Sequence, residues 1–176
     1  MRPVALGLTI LSGVARLLPH PPNFTPVGSM SLFAGARIPG WLAYLLPLVV
    51  MAVTDPLVGG YTKATALIYF SFLISVWIGR HLRKSDNPIR IGAAAFLCSL
   101  QFFLITNFAV WLGSRFYPQT FSGLLESYAS ALPFFGRTLA GDLFFTAVLF
   151  GLHAWLSRTA ARPESKSSAV TVSERF

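Results

Sequence analysis

Cysteine, acidic residues and charge of any kind are scarce in this 176-residue chain. One cysteine, Cys98, excludes an internal disulfide and any cysteine-built metal site. Three scattered histidines without an HExxH motif make no zinc set. No GxxxxGK[ST] loop is present, which excludes nucleotide hydrolysis by the P-loop route, and no GxSxG nucleophile occurs. These absences predict a protein that is not an enzyme and holds no cofactor. Charged residues make up 11% of the chain against about 25% in soluble domains. With 54% hydrophobic residues and a mean hydropathy of +0.62, the chain lacks the polar surface for a soluble or disordered protein.

What is present is a series of apolar runs. They fall at residues 3–18, 26–38, 40–54, 64–81, 91–113 and 139–157. The expected fold is therefore all-α, a six-transmembrane-helix bundle over residues 1–157, followed by a disordered cytoplasmic tail at 158–176. The first run, led by a single Arg2, reads as a retained span and not a cleaved signal. The second is the weakest: rich in Gly, Ala and Ser, its 13 residues reach only ~20 Å. Thr25-Pro26 reads as its N-cap and first helical position, and Pro47 as a kink in the third run.

The net charge of +8 is an orientation signal, not a nucleic-acid surface. With six spans and a cytoplasmic N-terminus, ten of the 14 Lys and Arg residues fall inside; the exceptions are Lys63, Arg115 and Arg137 outside and Arg16 at the outer boundary. The positive-inside rule then places the chain as a multi-pass protein of the inner membrane with both termini cytoplasmic, its basic residues meeting lipid headgroups.

Polar residues within spans are functional candidates. Arg16, His20, Asp55, Asn107 and Asp142 all map toward the outer side, whereas His81 and His153 lie near inner helix ends, where snorkelling explains them. No series of carboxylates crosses the bilayer. Asn107 and Trp111, four apart, share a helix face. The first outer loop, HPPNFTPVG, is stiffened by its three prolines and presents Asn23 and Phe24. The long outer loop 114–138 carries a stripe of Phe121, Leu124, Leu125, Tyr128, Ala131 and Leu132, predicting an amphipathic helix at the interface, either connector or lid. Small residues four apart (Ala5, Thr9, Gly13; Ser31, Gly35; Ala147, Gly151) permit close helix packing within the chain or against another subunit.

The segments RLLPHPPNFTPVG (16–28), LITNFAVWL (104–112) and ALPFFGRTLAGDL (131–143) resemble a family of small bacterial membrane proteins of uncharacterised function. That family in turn resembles the substrate-binding S components of energy-coupling-factor (ECF) vitamin transporters. The resemblance implies an outward-facing binding site, with Asn23, Phe24, Asn107, Trp111, Tyr117 and Asp142 as candidate ligand contacts. It also implies a transmembrane coupling subunit and ATPases as partners. The first span reads Ala5-xxx-Thr9 where that group carries AxxxA.

The expected function is thus a substrate-capture subunit for a small nutrient or vitamin-like metabolite, its ligand unspecified: Arg16 and Arg137 suit an anion, Asp142 and Glu126 a cation. The alternative is a membrane scaffold or assembly protein of the cell envelope without a small-molecule ligand.

Overall fold

The computed structural model describes residues 2–83, 85–113 and 115–160, and within them every regular element is a helix, with no strand. Six helices follow in order: α1 (Arg2–Ala15), α2 (Val27–Arg37), α3 (Leu42–Val58), α4 (Thr65–Arg80), α5 (Pro88–Gly113) and α6 (Phe121–Ala160). Two of them, α5 and α6, are long and apolar enough to cross a membrane; α1, α3 and α4 are shorter apolar helices.

α2 is the centre of the fold. Every residue from Val27 to Ala36 is buried, and α2 touches all five other helices. The small residues that make it weakly hydrophobic also make this possible. A Cβ on Gly35 would run into the Val76 carbonyl, and one on Gly79 into the Leu32 carbonyl, so α2 and α4 cross with backbone against backbone at two reciprocal glycines. Phe33 fills the space toward α6, edge-on to Phe150 at 5.3 Å between centroids. α1 turns its small face inward as well: Ala5, Thr9 and Gly13 are buried, Gly13 against Val50 of α3. Of the two roles that spacing allowed, packing within the chain is the one it fills.

Several helix bounds depart from the apolar runs, each for a local reason. α5 starts three residues before its run because Asn87 caps it, its Oδ1 accepting from Ile89 N at 2.9 Å and Arg90 N at 3.3 Å, with Pro88 at the first position. α2 starts at Val27 with Pro26 as its N-cap, one position later than Thr25-Pro26 suggested. α3 continues past Asp55-Pro56 to Val58. Pro56 has no N–H to give the Ala52 carbonyl, but the Tyr61 hydroxyl donates to that carbonyl at 2.6 Å. Gly59 and Gly60 then close the helix on the Asp55 carbonyl, Gly60 with a φ of 76° that favours glycine.

The largest departure is α6. The long outer loop and the last span were expected as separate elements; they form one 40-residue helix running from the Thr120 cap to Ala160. Pro133 removes a single backbone bond, and the helix continues through Gly136-Arg137-Thr138 without a break. Its first half is helical as expected, but the face turned to the protein is Gly123, Ser127 and Ala131, whereas Phe121, Leu125 and Leu132 of the apolar stripe face outward. Of the expected disordered tail, residues 158–160 continue α6, and 161–176 lie outside the described residues.

Candidate functional site

The first loop and the α5–α6 pair build a pocket of about 200 Å³ at the end of the helices where α2 begins. The loop enters through a tight turn. Phe24 N donates to the Pro21 carbonyl at 3.0 Å, Pro22 holds the second position and Asn23 the third with a φ of 65°, the pattern of a type II turn. Asparagine tolerates this left-handed conformation, and the turn sets Asn23 at the pocket. α5 contributes Phe102, Phe103, Thr106 and Asn107, and α6 contributes Ala131, Phe134, Phe135 and Thr138. The Asn107 amide nitrogen donates to the Phe103 carbonyl at 2.8 Å, which leaves its amide oxygen and a second N–H to offer. Phe103 and Phe135, with ring centroids 4.9 Å apart, form an aromatic wall. A few polar groups set in an aromatic cavity suit a small ligand with one or two hydrogen-bonding positions.

Of the six residues anticipated as contacts, Asn23 and Asn107 line this pocket together. Phe24 packs beside it, its ring 5.8 Å from Phe144 and 5.5 Å from Phe145. Gly141 leaves room for that loop, since a Cβ there would lie 3.2 Å from the Phe24 Cα. Trp111 and Tyr117 sit in and beside the α5–α6 connection, away from the lining. The Trp111 indole donates to the Pro118 carbonyl at 3.0 Å, and Gln119 donates back to the Trp111 carbonyl at 2.6 Å, fastening the connection.

Asp142 is buried between helices. One carboxylate oxygen accepts from Ser29 N at 3.1 Å in the first turn of α2, and the other from Ser99 Oγ of α5 at 2.7 Å. Gly28 clears its space, for a Cβ there would strike the carboxylate. Asp142 thereby ties three helices together just inside the pocket. Neither serine stands out in the sequence; only a carboxylate set among apolar residues signals that such partners exist.

The chain belongs to a family of unknown function (DUF6580), whose model matches residues 2–166. Neither the curated proteins nor the solved structures hold a match. The DUF6580 match takes in both sides of the pocket, the first loop and the α5–α6 pair.

At the same end, a second polar cluster closes α1 onto α3 and α4. The Arg16 guanidinium lies 2.5 Å from one Asp55 oxygen and 3.1 Å from Thr54 Oγ1, and the Tyr69 hydroxyl donates to the other Asp55 oxygen at 2.6 Å. At the opposite end Arg37 pairs with Asp86, Arg80 donates to the Gly40 carbonyl at 2.7 Å and Arg83 to the Ile38 carbonyl at 3.0 Å. No group of His, Cys, Asp or Glu suited to a metal ion occurs among the described residues.

Proposed function

We propose that this protein is a six-span inner-membrane subunit that captures a small nutrient or vitamin-like metabolite at its outer face. The observation that carries this reading is the pocket uniting Asn23 with Asn107. At about 200 Å³ it suits a small polar metabolite better than a lipid or peptide. Asn23 and Asn107 anchor the ligand, Phe103 and Phe135 flank it, and Phe24 holds the loop in place. Trp111 and Gln119 brace the α5–α6 connection, in which Tyr117 lies, and Asp142 fixes α2 against α5 and α6. With no nucleotide motif of its own, the chain relies on a transmembrane coupling subunit and ATPases for uptake.

The membrane reading draws support from what faces outward. Trp41, Val53, Leu57, Trp77 and Phe144 are all more than half exposed, far more apolar surface than a water-soluble protein leaves open, while small residues form the helix contacts. Arg2, Arg37, Arg80, Arg83, Arg90 and Arg158 lie at the end opposite the pocket, the distribution expected if that end is cytoplasmic.

The test is native mass spectrometry of the purified protein beside Asn107→Leu and Asn23→Ala. A co-purified small molecule is expected with the wild type, with retention lowered about tenfold in Asn107→Leu, the loss of one buried hydrogen bond. A wild type free of any small molecule from nutrient-replete cells would favour the scaffold function and overturn this one.

A further inference from the structure

A larger cavity lies elsewhere. Between the Arg37 end of α2 and the facing halves of α5 and α6 is a cleft of about 470 Å³. Its walls are Ile91, Leu143 and Phe150, and its volume comes from small residues, Gly92, Ala147 and Gly151. A Cβ on Gly92 or Gly151 would meet nothing within 4 Å, so here the Ala147–Gly151 spacing opens a space where it was expected to close a helix contact.

Two buried polar groups on this cleft lack partners among the described residues. Thr146, 2% exposed, leaves its Oγ1 unbonded, and Arg37, with a side chain 12% exposed, leaves its Nε unbonded. A buried hydroxyl without a partner is costly in apolar surroundings, as is a buried guanidinium N–H, and both groups lie on one cavity. The Arg37 guanidinium sits 5.0 Å over the Phe150 ring, and Thr146 lies one turn along the same helix face. The cleft therefore offers a cation at its mouth, a hydroxyl about 6 Å deeper and apolar walls between and beyond. That is the polarity sequence of a phospholipid: phosphate, ester carbonyl, acyl chain. The Asp86 side chain, paired with Arg37, is 88% exposed and free to swing away from an incoming phosphate. Arg83 and Arg90 lie at the same end of the helices and add to the positive potential there.

We propose that this cleft binds one anionic phospholipid, with its phosphate on Arg37, an ester carbonyl accepting from Thr146 and an acyl chain along Ile91 and Phe150. The proposal shares with the proposed function only the membrane reading. Release of the protein from membranes by alkaline carbonate, without detergent, would defeat that reading and this proposal with it. The pocket at the opposite end can fail its own test without touching the cleft.

The experiment is native mass spectrometry of detergent-purified protein titrated with phosphatidylglycerol or phosphatidylcholine, alongside thermal unfolding. Both lipids carry the phosphate that Arg37 would hold, but the choline cation is repelled by Arg37, Arg83 and Arg90, so the wild type is expected to retain one phosphatidylglycerol about tenfold better than phosphatidylcholine. Gly92→Leu and Gly151→Leu fill open space, so each is expected to keep its Tm and lose the lipid. Thr146→Val removes an unpaired hydroxyl, so its lipid-free Tm should hold or rise while retention falls severalfold. Equal retention of the two lipids, or undiminished retention in whichever glycine variant folds, would overturn the proposal. So would displacement of the lipid by inorganic phosphate, which would assign the cleft to a free anion.

Discussion

Arg16 and Asp55, thirty-nine positions apart, meet at 2.5 Å and join the end of α1 to the last turns of α3. Both side chains are largely shielded, at 19% and 9% exposed, so removing one strands the other. Arg16→Met is expected to cost ~3–5 kcal/mol, and so is Asp55→Leu. The double variant should recover much of that loss, because it leaves no unpaired charge. A double-mutant cycle on thermal unfolding in detergent measures the coupling; additive losses would mean that the pair contributes nothing as a pair.

The α2–α4 crossing sets a second expectation. Gly35→Ala pushes a methyl into the Val76 backbone, which has no rotamer by which to yield, and should cost at least ~1–3 kcal/mol. Gly7→Ala adds the same methyl to open space on α1 and should be neutral or stabilising by up to ~1 kcal/mol. Unfolding midpoints of the two variants, measured side by side, decide whether close approach or glycine content is what matters.

Asp142 gives a third. Asparagine keeps an acceptor for Ser29 N and offers an amide to Ser99 Oγ, which in turn can donate to the Ala95 carbonyl 3.2 Å away. Asp142→Asn should therefore fold with little loss, whereas Asp142→Leu strands the Ser29 N–H, leaves Ser99 only the Ala95 carbonyl, and should cost ~2–5 kcal/mol. Because Asp142 braces the pocket without lining it, Asp142→Asn is expected to keep ligand retention close to wild type, read by the same mass spectra as the asparagine variants.

Much of the secondary structure was legible in the sequence. Apolar runs bounded by proline and glycine located the helices, and mismatches arose where local chemistry extended one past its run. The Asn87-Pro88 start of α5 was readable as a cap and first-turn proline, but the apolar run drew the boundary to Ile91 instead. The partnership of Tyr61 with the carbonyl facing Pro56 was not readable, since nothing in the spacing says where a loop tyrosine will reach. At the candidate site, the proline-stiffened first loop drew attention to Asn23, and Asn107 stood out as a polar residue in an apolar run. That the two share a pocket depends on the path of α6, which the sequence suggested would break near Leu139. Asp142 attracted notice for its polarity, but its partners, Ser29 and Ser99, lie 113 and 43 positions away and carry no mark of their own.

The central position of α2 bears on how the protein is made. Eleven residues give a helix of about 16 Å, too short to cross a bilayer alone and too polar to be drawn into one readily. Its stability comes from surfaces that α3 to α6 supply later in the chain, including the Asp142 carboxylate at its first turn. The burial of α2 can therefore be completed only after the C-terminal half of the chain exists, and it is the step that closes the other five helices into one fold.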